Sequence, residues 1–287
     1  MKGIFLGCAV FAIIALLTIC VFLFARGMPF IIKTGIFSFL TSADWNVSDP
    51  ANASYGILSM IVASLYVTAL SVAFGVVIGL FTAICLYKFC NKKAVAVIKQ
   101  LINLLAGIPS VVYGLFGMII IIPFLRDYIS PTGMGYGILA ASIVLSIMIL
   151  PTIVCISLDS LNAVPKTYYE GALALGATKE QAVFRTMLPA AKSGIFAGVV
   201  LAIGRAIGET MAVIMVIGGS PEMPGSLFQS VRTMTANIAM GALEQTGETL
   251  DALIATGIVL FVFVMIINIC FSLLKNKKEK RNGKRRI

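Results

Sequence analysis

No histidine occurs anywhere in the 287 residues, and only 12 % of them carry charge. The first absence removes the usual general base and the commonest nitrogen ligand for metals, which excludes Ser-His-Asp hydrolysis and most zinc chemistry. The second leaves too little polar surface to coat a soluble particle, since 59 % of the residues are hydrophobic and the mean hydropathy is +1.02. The six cysteines, Cys8, Cys20, Cys85, Cys90, Cys155 and Cys270, form no C-x-x-C pair. They fall in apolar runs or at their ends and read as buried thiols acting as small hydrophobes. There is no G-x-x-x-x-G-K-[ST] phosphate loop, and Gly133, Gly135 and Gly137 lack G-x-G-x-x-G spacing, so no nucleotide site is expected. Neither a cofactor, a bound metal nor an enzymatic activity of the chain itself is expected.

What the sequence has instead is six apolar runs of about 20 residues, each long enough to cross a hydrocarbon core of roughly 30 Å. They lie at about Gly3 to Ala25, Gly56 to Tyr87, Leu101 to Ile122, Gly137 to Leu158, Gly194 to Gly218 and Ala252 to Leu274. The expected fold is all-α and integral to a membrane, with six transmembrane helices. The first run exceeds a signal-peptide core and lacks an A-x-A cleavage site, so it is expected to stay as an anchor. This divides the chain into an anchor with an outer loop over 1–55, a transmembrane core over 56–275 and a basic tail over 276–287. The outer loop carries the only Trp, Trp45, and two Asn-x-Ser sequons, at Asn46 and Asn52, short enough to arise by chance. Of the 22 Lys and Arg, 17 fall at Lys2, between the second and third runs, between the fourth and fifth, and in the tail. The opposite side holds Arg26, Lys33, Arg126 and Arg232. Both termini are therefore expected in the cytoplasm, and the net charge of +10 reads as topology, not as nucleic-acid binding. The tail reads as a topological anchor, with a patch for anionic lipid as the alternative.

The cytoplasmic stretch over about 159–193 carries the strongest local signals. Pro165 suits the first turn of a helix over Lys166 to Leu175, and Gly176 is placed to end it in a left-handed cap. Thr178 begins a second short helix with Gln181 three residues on, the spacing of a capping box, and Leu188 and Pro189 are expected to stop it. Local physics leaves two readings open: a compact projection from the membrane, or a connecting loop on its surface. Pro109 and Pro151, inside the third and fourth runs, are expected to kink their helices, either along a transport path or as static bends. In the fifth run, Gly194, Gly198, Ala202 and Ala206 make one stripe of small residues and Gly204, Gly208 and Ala212 another. Such stripes suit close packing within the chain or against a second subunit.

Arg205 and Glu209 stand near the middle of the fifth run, four residues apart and about 40° around one helix face. A charge there costs roughly 2.5 to 3.5 kcal/mol on insertion, so each requires a partner or a wet path. One reading is an ion pair that permits insertion. The other makes Arg205, through its planar fork of donors, the contact for an anion in transit, with Glu209 holding it between passages.

The run Glu170-Gly171-Ala172, with Gly176 and then Thr186-Met187-Leu188-Pro189, resembles the EAA loop of ABC importer permeases. Gly171 stands for the usual first Ala and Thr186 for the usual Ile. Gly204-Arg205-Ala206-Ile207-Gly208-Glu209-Thr210-Met211-Ala212-Val213 is similar to the phosphate-importing branch. So are Ile108-Pro109-Ser110-Val111-Val112-Tyr113-Gly114 and Thr233-Met234-Thr235-Ala236-Asn237-Ile238-Ala239. Met211-Ala212-Val213 resembles the PstC-type subunit; the PstA-type sister usually continues Ala-Pro. The resemblance implies a type I permease of a bacterial or archaeal cytoplasmic membrane, paired with a PstA-type sister as a heterodimer. It further implies two PstB-type ATPase subunits docked on the loop through Glu170, Gly171, Ala172, Gly176, Leu188 and Pro189. A PstS-type periplasmic protein would deliver inorganic phosphate to a path including Arg205, Glu209 and Thr210. A permease for another substrate, a channel or secondary anion transporter, and a membrane signalling scaffold are the competing readings; the last two need no EAA loop.

Overall fold

The computed structural model describes residues 2–47, 53–131 and 133–283. Asn52 of the second sequon and the last four residues of the basic tail lie outside these. Thirteen α-helices are found among the described residues, with one two-stranded hairpin, Trp45–Asn46 (β1) against Ser54–Tyr55 (β2). Six spans are long and apolar enough to cross a membrane: Lys2–Thr34, Leu58–Phe89, Ser110–Tyr128, Ile138–Asn162, Lys179–Gly208 and Gly247–Cys270. Their number is the expected six, but the third and fifth begin elsewhere than their apolar runs do.

The third span starts at Ser110, not Leu101, because α4 (Lys92–Gly107) is a separate amphipathic helix that ends before Pro109. Pro109 therefore does not kink a helix. Ile108 and Pro109 are extended, with ψ of 129° and 143°, between α4 and α5 (Ser110–Phe116), as the steric demand of proline on its predecessor requires. Pro151, in contrast, does lie within a continuous helix, α7 (Ile138–Asn162). The fifth span starts at α9 (Lys179–Ala182), because Leu188 and Pro189 do not stop the helix there. The chain takes one wide π turn over Val183–Met187 and continues as α10 (Leu188–Gly208). Pro189 is the second residue of α10, directly behind that wide turn.

Packing divides the chain into two compact units. One comprises 1–64, 219–225 and 231–263, the other 65–218, 226–230 and the chain from 264 on. In the first unit, α1 (Lys2–Thr34) runs about nine residues past the apolar run and closes on α2 (Ile36–Thr41), the hairpin and α13 (Gly247–Gly283). Phe30 meets Phe39 and Tyr55 edge to face at ring separations of 6.0 and 5.2 Å, and Trp45 meets Tyr55 at 5.9 Å. Arg26 pairs with Asp251 at 2.9 Å, and Lys33 with Glu248.

In the second unit α7 is the hub, with 15 of its 25 residues buried. Gly194 and Gly198 of α10 lie against Ser160 and Ile156 of α7, and Ala202 and Ala206 are buried on the same stripe. That stripe packs within the chain, whereas Gly208 on the other has open space beside it. The cysteines depart from expectation: Cys8, Cys85 and Cys270 are exposed on the outward faces of their helices and the other three only half-buried. An apolar surrounding covers them as well as a core would.

Gly27 sets how closely α1 approaches α13. A Cβ there would stand 2.7 Å from Ile258 Cδ1 and 3.1 Å from the Ala255 backbone, which cannot yield. Gly27→Leu should lower stability by about 1–3 kcal/mol, read as an earlier thermal transition of the detergent-purified chain. An unchanged transition would mean that this contact is loose.

Candidate functional site

Two arrangements stand out in the second unit, and each is built at an interruption of a helix. The first is the hairpin of α8 (Lys166–Ala174) and α9. Pro165 sits at the N-cap, one residue before the expected first turn. At the far end the Gly176 N–H donates to Leu173 O at 2.9 Å and the Ala177 N–H to Ala172 O at 3.1 Å, the paired bonds of a Schellman motif. Gly176 takes φ +84°, as its place in the sequence required. Two residues later the Gln181 N–H donates to Thr178 Oγ1 at 3.2 Å, and the Thr178 N–H donates back to Gln181 Oε1 at 3.1 Å.

The hairpin is anchored mainly through α9 and the turn that follows it. Ala182, Val183 and Met187 are buried with Ile84, Leu161, Ala191 and Ile195. No residue of α8 is buried: Glu170 and Gly171 are exposed and Ala172 half-buried. Leu175, at its tip, is 91 % exposed. Leu188 and Pro189 belong to the root of the following span. One contact escaped the sequence reading, in which Lys88 counted only as a topological charge: its Nζ lies 4.2 Å from the centre of the Tyr169 ring and 5.3 Å from that of Tyr87. This cation–π contact ties α8 to the end of the second span.

The second arrangement surrounds Arg205. The expected uninterrupted helix through Arg205 and Glu209 is corrected here, since α10 ends at Gly208 and Glu209 has an extended ψ of 132°. Thr210 follows with φ −120°, and α11 (Met211–Ile217) begins anew. Arg205 and Glu209 thus do not share one helix face. Glu209 turns its carboxylate onto its own chain, where Oε1 accepts from the Ala212 N–H at 3.2 Å and caps the first turn of α11. Thr210 Oγ1 donates to Gly208 O at 3.3 Å. Arg205 is exposed, on the last turn of α10, and its Nη1 lies 3.5 Å from Thr152 Oγ1 beside Pro151 on α7. Thr152 was missed in the sequence, where nothing marks it out among the apolar residues of its run. At the other break, Leu105 O near the end of α4 accepts from the Ile108 N–H at 3.2 Å and, across the Ile108–Pro109 gap, from Tyr113 Oη at 2.6 Å.

Among the described residues no group of His, Cys, Asp and Glu is arranged to hold a metal. The chemistry on offer is an exposed guanidinium at a broken helix, together with a projecting helical hairpin.

Comparison with known proteins is decisive for the family. Residues 75–282 match the binding-protein-dependent transport system inner membrane component family. The chain is 38 % identical to the probable ABC transporter permease protein YqgH of Bacillus subtilis, covering 91 % of this chain and 86 % of that one. It is 34 % identical to the phosphate transport system permease protein PstC of Mesorhizobium japonicum, over 90 % of this chain and 84 % of the relative. Among solved structures, a chain of a bacterial alginate ABC transporter superposes with a TM-score of 0.70 at 16 % identity, covering 96 % of this chain and 93 % of that chain. An inward-facing MetNI methionine ABC transporter gives 0.62 at 21 %, over 77 % and 95 %. At these identities the last two speak for the fold alone.

Proposed function

The chain belongs to the binding-protein-dependent transport system inner membrane components, multi-pass permeases of ABC importers, and from that premise we propose that it forms half of the path of an ATP-driven phosphate importer. The other half is a sister permease. Two ATPase subunits hydrolyse ATP on the cytoplasmic side, where both termini of this chain lie, and a periplasmic protein delivers phosphate. The observation that carries the reading is the hairpin: the turn from α8 into α9 is fixed by the Schellman bonds that end α8 and the capping box that starts α9, yet α8 leaves its own surface open, the form of a part shaped to be gripped. A channel or a secondary transporter has no use for it. Phosphate as the substrate is supported by the relatives named as phosphate transport permeases and by Arg205 at the broken helix.

In this mechanism Arg205 meets the anion through its fork of donors, aligned by Thr152, and Thr210 lines the same break. A helix N-terminus attracts anions, and the start of α11 is already occupied by the Glu209 carboxylate. Glu209 thus keeps that end from trapping phosphate, so binding stays weak enough for release. Its role is exclusion from the helix end, a different one from the clasp on Arg205 that a continuous helix suggested. In the hairpin, Glu170, Gly171, Ala172 and Gly176 form the ATPase contact, and Leu188 and Pro189 pass its movement into α10.

Two sets of variants test this in a complex reconstituted into liposomes. A Cβ at Gly176 meets nothing within 4 Å, so Gly176→Val acts only through the left-handed backbone, at a cost of about 1–2 kcal/mol. The expected result is an assembled complex whose ATP hydrolysis no longer drives uptake; normal coupling would reduce the hairpin to a connector. Arg205→Lys should cut phosphate uptake by about tenfold, because the charge remains while the fork is lost, and Arg205→Gln should abolish it. Normal phosphate uptake by the double variant Arg205→Leu, Glu209→Leu would show that the pair is structural.

A further inference from the structure

The first unit holds a second cation with the marks of a binding site. Arg232 precedes α12 (Met234–Gly241) and is half-buried, so that burial pushes the pKa of its guanidinium down. It makes no ion pair among the described residues; the three pairs found there are Arg26 with Asp251, Lys33 with Glu248 and Arg126 with Asp127. A cation withdrawn from water without a counter-charge is costly, and such a group calls for an anion. Its orientation is nevertheless fixed. Nε donates to Gly219 O at 2.7 Å, from a glycine held at φ +91°, and Nη1 donates to Asn237 Oδ1 at 3.2 Å.

Asn237 supplies the independent sign. It is only 2 % exposed, its Oδ1 is committed to Arg232, and its Nδ2 is buried without a partner. An amide that anchors one end on the guanidinium holds its unused donors beside it. The frame around them is rigid: Thr233 Oγ1 caps α12 by accepting from the Ala236 N–H at 3.2 Å, and the Met234 N–H donates to buried Ser64 Oγ at 3.1 Å. These bonds consume two of the helix's own leading donors. What remains is three of the five guanidinium N–H groups and both amide N–H groups, all donors, which suits a small oxyanion and not a cation or an apolar ligand.

We propose that Arg232 and the Asn237 amide form an oxyanion subsite for inorganic phosphate on the outward-facing side of this chain, separate from Arg205. The proposal rests on the reading of the chain as a phosphate permease. In that setting the subsite receives the ion released by the binding protein.

The test uses the whole complex in lipid nanodiscs, an arginine-selective dicarbonyl reagent and peptide-resolved mass spectrometry, with inorganic phosphate as the probe and chloride at equal ionic strength as the reference. Phosphate should slow modification of Arg232 by at least about fivefold and leave exposed Arg26 unaffected. Asn237→Asp keeps the oxygen facing Arg232, supplies a counter-charge and removes the two donors, so it should fold and lose the phosphate protection. ATP-driven phosphate uptake is measured on the same preparation. Wild-type complex that takes up phosphate while Arg232 reacts equally in phosphate and chloride would refute the subsite and leave the transport reading standing. Protection by substrate-free binding protein but not by phosphate would likewise refute it, assigning Arg232 to a protein contact. Absence of phosphate uptake by the wild type would remove both readings.

Discussion

Hydrocarbon offers no partner to a peptide group, so a chain that crosses it is free to interrupt its helices only where the interruption satisfies itself. The interrupted spans of this permease show such places. The break after Gly208 is tolerated because Glu209 caps the next helix through the Ala212 N–H. At the Pro109 break Leu105 O takes the Ile108 N–H and the Tyr113 hydroxyl together, and the Val183–Met187 turn closes with the Leu188 N–H on Val183 O. Each device converts an unpaired backbone group into a fixed geometry, and each leaves side chains where a continuous helix would not have placed them.

The same constraint explains the division of labour in the second unit. α7, continuous through Pro151 and buried over most of its length, is the reference against which the interrupted elements are held. Its Thr152 faces Arg205, its Ile156 and Ser160 receive the glycines of α10, and residues 163–165 join it to α8. Lys88 adds a second tie, from the end of the second span to Tyr169 on α8. The projecting hairpin and the broken helix are thus attached to one continuous element.

The parts readable from sequence were those written in local chemistry. Six spans follow from length and hydropathy, and the Schellman glycine at 176 and the Thr178–Gln181 box follow from residue types at fixed offsets. The parts that were not readable depend on partners distant in sequence. Apolar residues flank Gly208, Glu209 and Thr210 on both sides and Gly204 in the same run is carried within a helix, so a four-residue spacing reads as a shared face. Pro189 looked like a stop because the wide turn at Val183–Met187 just before it has no sequence signature of its own. Arg232 looked like an ordinary outer-loop charge until Gly219 and Asn237 were found on its two arms.

The central claim is that α8 is the handle for a cytoplasmic ATPase. It is tested most directly by placing a photo-crosslinking residue at Leu175, 91 % exposed at the hairpin tip, and a second at Leu243, 95 % exposed beyond α12. With the complex irradiated in native membranes, position 175 should join to a subunit identified by mass spectrometry as carrying an ATP-binding phosphate loop, and position 243 should not. Capture of that subunit from position 243, or its absence from position 175 in membranes that still transport, would contradict the account.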